Sequence, residues 1–155
     1  MRKIAPRLYT TNLEEAPETL IRRHLLPVLS LLFPNTVLSH RSALEAKASP
    51  EGTITLTGSY PRIVRLPGVT VRIVAGPGPL EGDTPLLGIM RASEARAVLE
   101  SLSPGRRSAL GSSHLPRREV EAFLERKLAS AGEGALNRLR DRAREIAPQL
   151  AAEAE

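Results

Sequence analysis

The chain has 155 residues, 41% hydrophobic but only 3% aromatic, which predicts one ordinary domain with an aliphatic core and no aromatic platform for stacked bases. It has no cysteine, no signal-peptide pattern and no apolar run near the roughly 18 residues of a membrane span, so we expect a cytoplasmic protein without disulfides or thiolate metal sites. The formal net charge of +5 favours an anionic partner.

The first 46 residues predict a short arm followed by helices. Residues 2–10 are basic with a proline in the middle, which permits an edge strand or a hairpin arm but not a central strand. Apolar residues at helical spacing predict a helix from Pro17 to about Leu32, with a kink at Pro27. A brief strand over 36–39 follows, and Ser39 is placed to cap a short helix that runs through Ala46.

The segment from about 52 to 92 has the alternation of β-branched and polar residues that is typical of strands. Three strands are predicted, at 53–57, 62–66 and 69–74, and Pro67 with Gly68 favours a tight hairpin between the last two. Thr and Arg at alternate positions predict that one face of the sheet is solvated. The run Gly76 to Pro79 breaks the pattern, and a further strand-like piece lies near 87–90.

The last third of the chain is predicted to be helical. Ser93 can cap a helix that ends near Leu102, and a polar loop over 103–115 is the best linker candidate. Pro116 opens a helix that Gly132 stops, and a final helix ends at Pro148. The tail over 151–155 carries no stop signal, so we expect it to continue into a larger protein.

No motif of a known catalytic or metal site is present. The prolines of Gly76 to Pro79 remove the N–H donors that a phosphate loop needs, and there is no Gly-Lys-Ser/Thr sequence. The histidines, His24, His40 and His114, have no second ligand three or four positions away. We therefore expect no metal, no cofactor and no catalytic residue; a site built from His24, His40, Ser42 and Glu45 is the enzymatic alternative, and it requires a deep pocket.

The basic residues fall into two groups. Arg138, Arg140, Arg142 and Arg144 fan around a helix with acids interleaved, which indicates a solvated face. A second group surrounds the N-terminal arm and the helices after it, where side chains can contact phosphates. The candidate phosphate-binding residues are Arg2, Lys3, Arg7, Arg22, Arg23 and Arg41. Arginine outnumbers lysine strongly, and a GC-rich genome is an equally good explanation of that preference.

An ordered series of motifs resembles one protein family. Arg-Leu-Tyr-Thr-Thr-Asn at 7–12, Arg22-Arg23, Phe33-Pro34 and Val37 to Glu45 resemble the regulatory region of AbiEi-type antitoxins of type IV toxin–antitoxin systems. They resemble still more closely the region that precedes the catalytic domain in some Fic-family adenylyltransferases. The similarity continues through 66–68, 76–79, 92–96 and 135–144, and so covers most of the chain.

The resemblance implies a bacterial regulator rather than an enzyme. In that family a winged helix-turn-helix binds operator DNA, and the segment similar to 3–9 forms the last strand of the wing. We therefore expect this chain to start at the wing, without the helices that read the major groove. The Fic sequence His-Pro-Phe with its Gly-Asn-Gly-Arg loop is absent, as is the carboxylate pair of nucleotidyltransferase toxins.

Together these observations predict an α+β fold, in which helices pack a small antiparallel or mixed sheet that follows the remnant of a wing. The predicted units are a regulatory domain over 1–102, a loop over 103–115 and a helical extension over 116–155. The predicted function is a non-catalytic antitoxin-like domain, whose partners are operator DNA, a cognate toxin or a Fic enzyme. The alternative is a scaffold that restrains or positions a partner enzyme without binding DNA.

Overall fold

The computed structural model describes residues 1–102 and 116–152. The predicted loop over 103–115 and the end of the predicted tail, 153–155, lie outside the described residues. Eight strands and five helices follow one another in the described part of the chain: β1 (Arg2–Ala5), β2 (Leu8–Thr10), α1 (Pro17–Arg23), α2 (Leu25–Leu32), β3 (Val37–Leu38), α3 (His40–Glu45), β4 (Thr53–Gly58), β5 (Arg62–Leu66), β6 (Val69–Ala75), β7 (Thr84–Leu86), β8 (Ile89–Arg91), α4 (Glu94–Leu102) and α5 (Arg117–Ala152).

The centre of the fold is a mixed sheet of six strands in the order β5, β6, β4, β3, β8, β7. Strands β4 and β6 run parallel, as do β3 and β8, and the other neighbours are antiparallel. The predicted hairpin at Pro67 and Gly68 is confirmed, and Gly68 has a φ of 76° there, a conformation that glycine adopts without strain. The α+β class with a mixed sheet is therefore confirmed.

Helices cover the sheet on both faces. Successive residues of a strand point to opposite sides of the sheet, so neighbouring residues pack in different cores. Leu38 lies in a large core with Ile21 and Leu29 of the first two helices, whereas its neighbour Val37 packs on the other side with Ala97 of α4. Residues of the small β1–β2 hairpin join the larger core. Helix α5 extends the second face through contacts with α4.

The predicted kink at Pro27 is wrong in position, because the chain breaks at His24 instead. His24 has φ −114° and ψ 31°, and it separates α1 from α2. Pro27 then falls in the first turn of α2, where its missing N–H removes no helical hydrogen bond. Two short helices thus accommodate the proline without strain.

Three further predictions need correction. The strand-like piece near 87–90 is a hairpin of β7 and β8, since Leu87 and Gly88 have φ of 48° and 90° and turn the chain. Gly132 interrupts α5 as predicted, with φ 81° and ψ 175°, but Pro148 does not end it. Ser39 is the N-cap residue of α3 but makes no side-chain cap hydrogen bond.

The sheet face that was predicted to be solvated is exposed only in part. Thr55 and Thr57 are 3% and 2% exposed, because α3 and α4 cover their end of the sheet. Arg65 is exposed, and Thr70 and Arg72 on the neighbouring strand are half-buried. Alternation correctly identified the polar face, but it could not show which part a helix covers.

Candidate nucleic-acid interface

The basic N-terminal arm is a two-stranded hairpin, β1 and β2, whose turn is Pro6 and Arg7. The segment similar to a single wing strand thus contains two strands. Lys3 lies opposite Tyr9, so both side chains share the outer face of the hairpin, and both are exposed. Arg7 is exposed at the tip with a φ of 64°. Buried Ala5 and Leu8 anchor the hairpin in the main core, which gives these cations a fixed base.

Two of the predicted arginines converge on Glu15, just before α1. Arg23 donates to Glu15 Oε1 at 2.9 Å and lies 2.6 Å from Oε2, and Arg2 donates to the Glu15 carbonyl oxygen. The Asn12 side chain accepts from the backbone N–H of Glu14 and Glu15, and it donates to Glu15 Oε1 at 3.0 Å. The hydrogen bond from Arg23 lowers the pKa of Glu15. These contacts orient Arg2 and Arg23, and the Glu15 carboxylate offsets part of the Arg23 charge.

Arg22 points toward the turn between β5 and β6. Its Nη2 lies 3.5 Å from the Gly68 carbonyl oxygen, and the side chain is exposed. With Lys47 it lines a cavity of about 340 Å³ between α1 and the starts of β4 and β6. Sequence reasoning missed Lys47, although an isolated lysine before the turn at Pro50 was the available signal. Lys47 thus lies near Arg22, although it is outside the predicted set.

Arg41 is not brought together with the other five residues. It lies on α3, which packs on the face of the sheet opposite α1 and the hairpin. Its Nε donates to Glu45 at 2.9 Å, and its Nη1 is 3.7 Å from Glu119 of α5. We call the other five, Arg2, Lys3, Arg7, Arg22 and Arg23, the hairpin–α1 surface. Arg2 and Arg23 meet at Glu15, whereas Arg22 lies beside Gly68. Within the described ranges, Lys3, Arg7 and Arg22 form no ion pair with an acid.

A buried polar cluster, which the sequence did not predict, lies around Arg96 of α4. The Arg96 side chain is 0% exposed and donates to Asp83 Oδ2 at 2.6 Å, to Glu100 Oε1 at 2.8 Å, and to the carbonyl oxygens of Pro77 and Gly78. Asp83 in turn accepts from the backbone N–H of Leu80 and Ser93. Arg96 therefore fastens the Gly76 to Pro79 turn to α4.

His40, a residue of the enzymatic alternative, lies beside Ser39 and Glu100. Ser39 is fully buried, and its Oγ lies 3.0 Å from His40 Nδ1 and accepts from Thr57 Oγ1 at 2.8 Å. Glu100 Oε2 approaches the same nitrogen at 3.8 Å. The serine hydroxyl and the carboxylate thus approach the same ring nitrogen, whereas a Ser-His-Asp relay places them on different nitrogens. Burial raises the pKa of Glu100, against the opposing effect of Arg96.

His24 is exposed on the other face of the sheet, far from Ser42, which accepts a hydrogen bond from the Thr55 N–H at 2.8 Å. The cavities beside Gly68, beside Val120 and at the start of α4 are lined by other residues than this set. Among residues 1–102 and 116–152, no group of three His, Asp or Glu side chains is placed to hold a metal ion.

No protein-family model, curated protein or solved structure matches the chain. In the part of the chain that the structure describes, none of the helices is both long enough and apolar enough to cross a membrane.

Proposed function

We propose that the chain is a non-catalytic, antitoxin-like regulatory domain that contacts the phosphates of DNA through the hairpin–α1 surface. The observation that carries this proposal is the set of three exposed cations, Lys3, Arg7 and Arg22, that no acid neutralises in the described ranges. Lys and Arg side chains are common phosphate contacts in proteins. Buried residues of the hairpin and α1 anchor the elements that carry these side chains. The motif resemblance over 7–12 supports the antitoxin assignment.

The surface is suited to contacts with the sugar-phosphate backbone rather than to base reading. Arg2 and Arg23 are held by Glu15, so they add positive field close to the hairpin but have fewer free donors. Arg7 is exposed in the turn of the hairpin, where its side chain can reach a phosphate. Binding of this type is largely independent of sequence and weakens steeply as salt is added.

The test is binding of the full chain to a labelled duplex of about 20 base pairs, measured by fluorescence anisotropy at low salt. Lys3→Gln, Arg7→Asn and Arg22→Gln each remove one charge, and asparagine tolerates the positive φ at position 7. We expect each variant to weaken binding to all duplexes alike. Arg41→Gln is the matched control, since Arg41 is on the other face, and should bind as the parent does.

The scaffold alternative predicts a different result. The Glu15 carboxylate forms an ion pair with Arg23, one of the five cations of the hairpin–α1 surface, and this is the observation in favour of the scaffold. A scaffold would show no duplex binding at low salt, and it would co-purify with the product of a neighbouring gene. Co-purification that survives all three charge removals, with no DNA binding by the parent, would replace the DNA proposal by the scaffold.

A further inference from the structure

A second basic site lies on the opposite side of the molecule, at the start of α4. A cavity of about 440 Å³ opens there between the end of the β7–β8 hairpin, the first turn of α4 and α5 on both sides of Gly132. Its volume lies within the range of about 300 to 1,000 Å³ typical of small-molecule sites. The charged residues that line it are Arg91, Glu94, Lys127, Arg138 and Arg142.

Most of these charges are already held by protein partners. Lys127 Nζ lies 2.5 Å from Glu94 Oε2, so this pair adds little net field. Arg91 donates to the Ala43 carbonyl oxygen at 2.6 Å, and Arg142 donates to Glu145 at 2.7 Å and to the Glu81 carbonyl oxygen. The carbonyl contacts leave the charge of Arg91 uncompensated by any acid in the described ranges. The cavity therefore keeps a positive potential.

Arg138 is the cation with the greatest capacity to bind a ligand. It lines the cavity, is exposed, and forms no ion pair with the described residues. Because Arg138 and Arg142 are four positions apart on α5, they lie on the same side of the helix, one turn from each other. The Arg138 guanidinium can donate two parallel hydrogen bonds to an anion with several oxygens, and Arg142 adds a positive charge one turn away.

Four apolar residues also line the cavity, and we call them its floor. Ala92, Ala95 and Ala135 are buried there, at 4%, 2% and 7% exposure, and Leu139 beside them is half-buried. An apolar floor under a cationic rim matches a ligand that has an anionic head and an apolar body. A bare inorganic anion would leave this floor unused.

We propose that the cavity at the start of α4 binds a small phosphate monoester with an apolar body, and that Arg138 contacts its phosphate. Phosphate is the head group that best matches the rim, because its two negative charges face several cations. The site is separate from the hairpin–α1 surface, which lies on the other face of the sheet.

The test is calorimetric titration of the full chain with phenyl phosphate, with phenol and inorganic phosphate as the two partial ligands. We expect phenyl phosphate to bind more tightly than either, and more tightly at pH 7 than at pH 5, since its second ionisation lies near pH 6. Arg138→Gln should weaken binding by about tenfold or more, as expected for the loss of charge-assisted hydrogen bonds. Arg140→Gln is the matched control, because Arg140 pairs with Asp141 outside the cavity.

Absence of binding by the parent at millimolar phenyl phosphate, or equal binding by parent and Arg138→Gln, would overturn the proposal. A short duplex that displaces phenyl phosphate, and whose own binding is lost in Arg138→Gln, would also overturn it and assign the cavity to nucleic-acid phosphates. Lys3→Gln and Arg7→Asn should leave phenyl phosphate binding unchanged. The two proposals can therefore fail independently, and these measurements show which one has failed.

Discussion

Replacement of Arg96 by methionine should be among the most destabilising single changes in the chain. Arg96 is fully buried, and Asp83 and Glu100 on either side of it have side chains that are 0% and 8% exposed. Methionine fills much of the same volume but removes the positive charge, so two acids are left together without compensation. Removal of one partner from a buried ion pair costs about 3 to 5 kcal/mol.

The measurement is urea unfolding followed by circular dichroism. With a slope of about 2 kcal/mol per molar urea, the predicted loss lowers the midpoint by about 2 M. Arg140→Met is the control, since the Arg140–Asp141 pair is more than half exposed on both sides and contributes about 0 to 1 kcal/mol. Arg96→Lys retains the charge but not the several hydrogen bonds, and should fall between the parent and Arg96→Met.

A double variant separates the charge from the packing. If uncompensated carboxylate charge causes most of the destabilisation, the double variant Arg96→Met, Asp83→Asn should lose less unfolding free energy than the two single variants lose together. A loss below about 1 kcal/mol for Arg96→Met, or strict additivity in the double variant, would refute the claim that Arg96 compensates buried charge. Arg96→Lys keeps the comparison measurable if the methionine variant does not fold.

Two further predictions concern backbone conformation and pH. Gly132→Ala should destabilise the chain by about 1 to 3 kcal/mol in thermal unfolding, because only glycine readily adopts φ 81° and ψ 175°. Gly134→Ala is the control; it lies in the helical turn that follows and should be neutral or stabilising by up to about 1 kcal/mol. Equal effects of the two substitutions would contradict the strain expected at position 132. Since the pKa of Glu15 is lowered in the folded state, its contribution is present above its unfolded value of 4.5 and is lost as pH falls through the folded value. The difference in unfolding midpoint between the parent and Glu15→Gln should therefore narrow in acid, and a constant difference would refute the role of the Arg23 contact.

The sequence predicted those elements whose determining residues lie within a few positions of one another. The hairpin at Pro67 and Gly68, the helix capped by Ser93 and the break at Gly132 all follow from residues that favour one backbone conformation. The break at His24 was missed because a histidine carries no such signal, whereas Pro27 carries a strong one. The proline is accommodated by the break three residues before it, a result that depends on how both short helices pack on the sheet.

The buried cluster was invisible for a different reason. Arg96 and Glu100 are four positions apart, a spacing that usually indicates an exposed pair on a helix. Only the tertiary fold brings Asp83 and the turn at Gly78 across the helix and removes Arg96 from water. Likewise the positions of Arg22 and Arg41 on opposite faces of the sheet follow from the order of the strands, which no local spacing encodes. Composition identified the cations, and topology decided which of them share a surface.

The most direct test of the central claim is the salt dependence of duplex binding by the full chain. Each phosphate contact contributes a slope of about −0.9 in log K against log salt, so three contacts predict a slope near −2.7 from Lys3, Arg7 and Arg22. The combined variant Lys3→Gln, Arg7→Asn, Arg22→Gln should flatten the slope by about that amount, whereas Arg41→Gln should not change it. A parent that does not bind at about 50 mM salt, or a combined variant with the parent's slope, would contradict DNA contact through the hairpin–α1 surface.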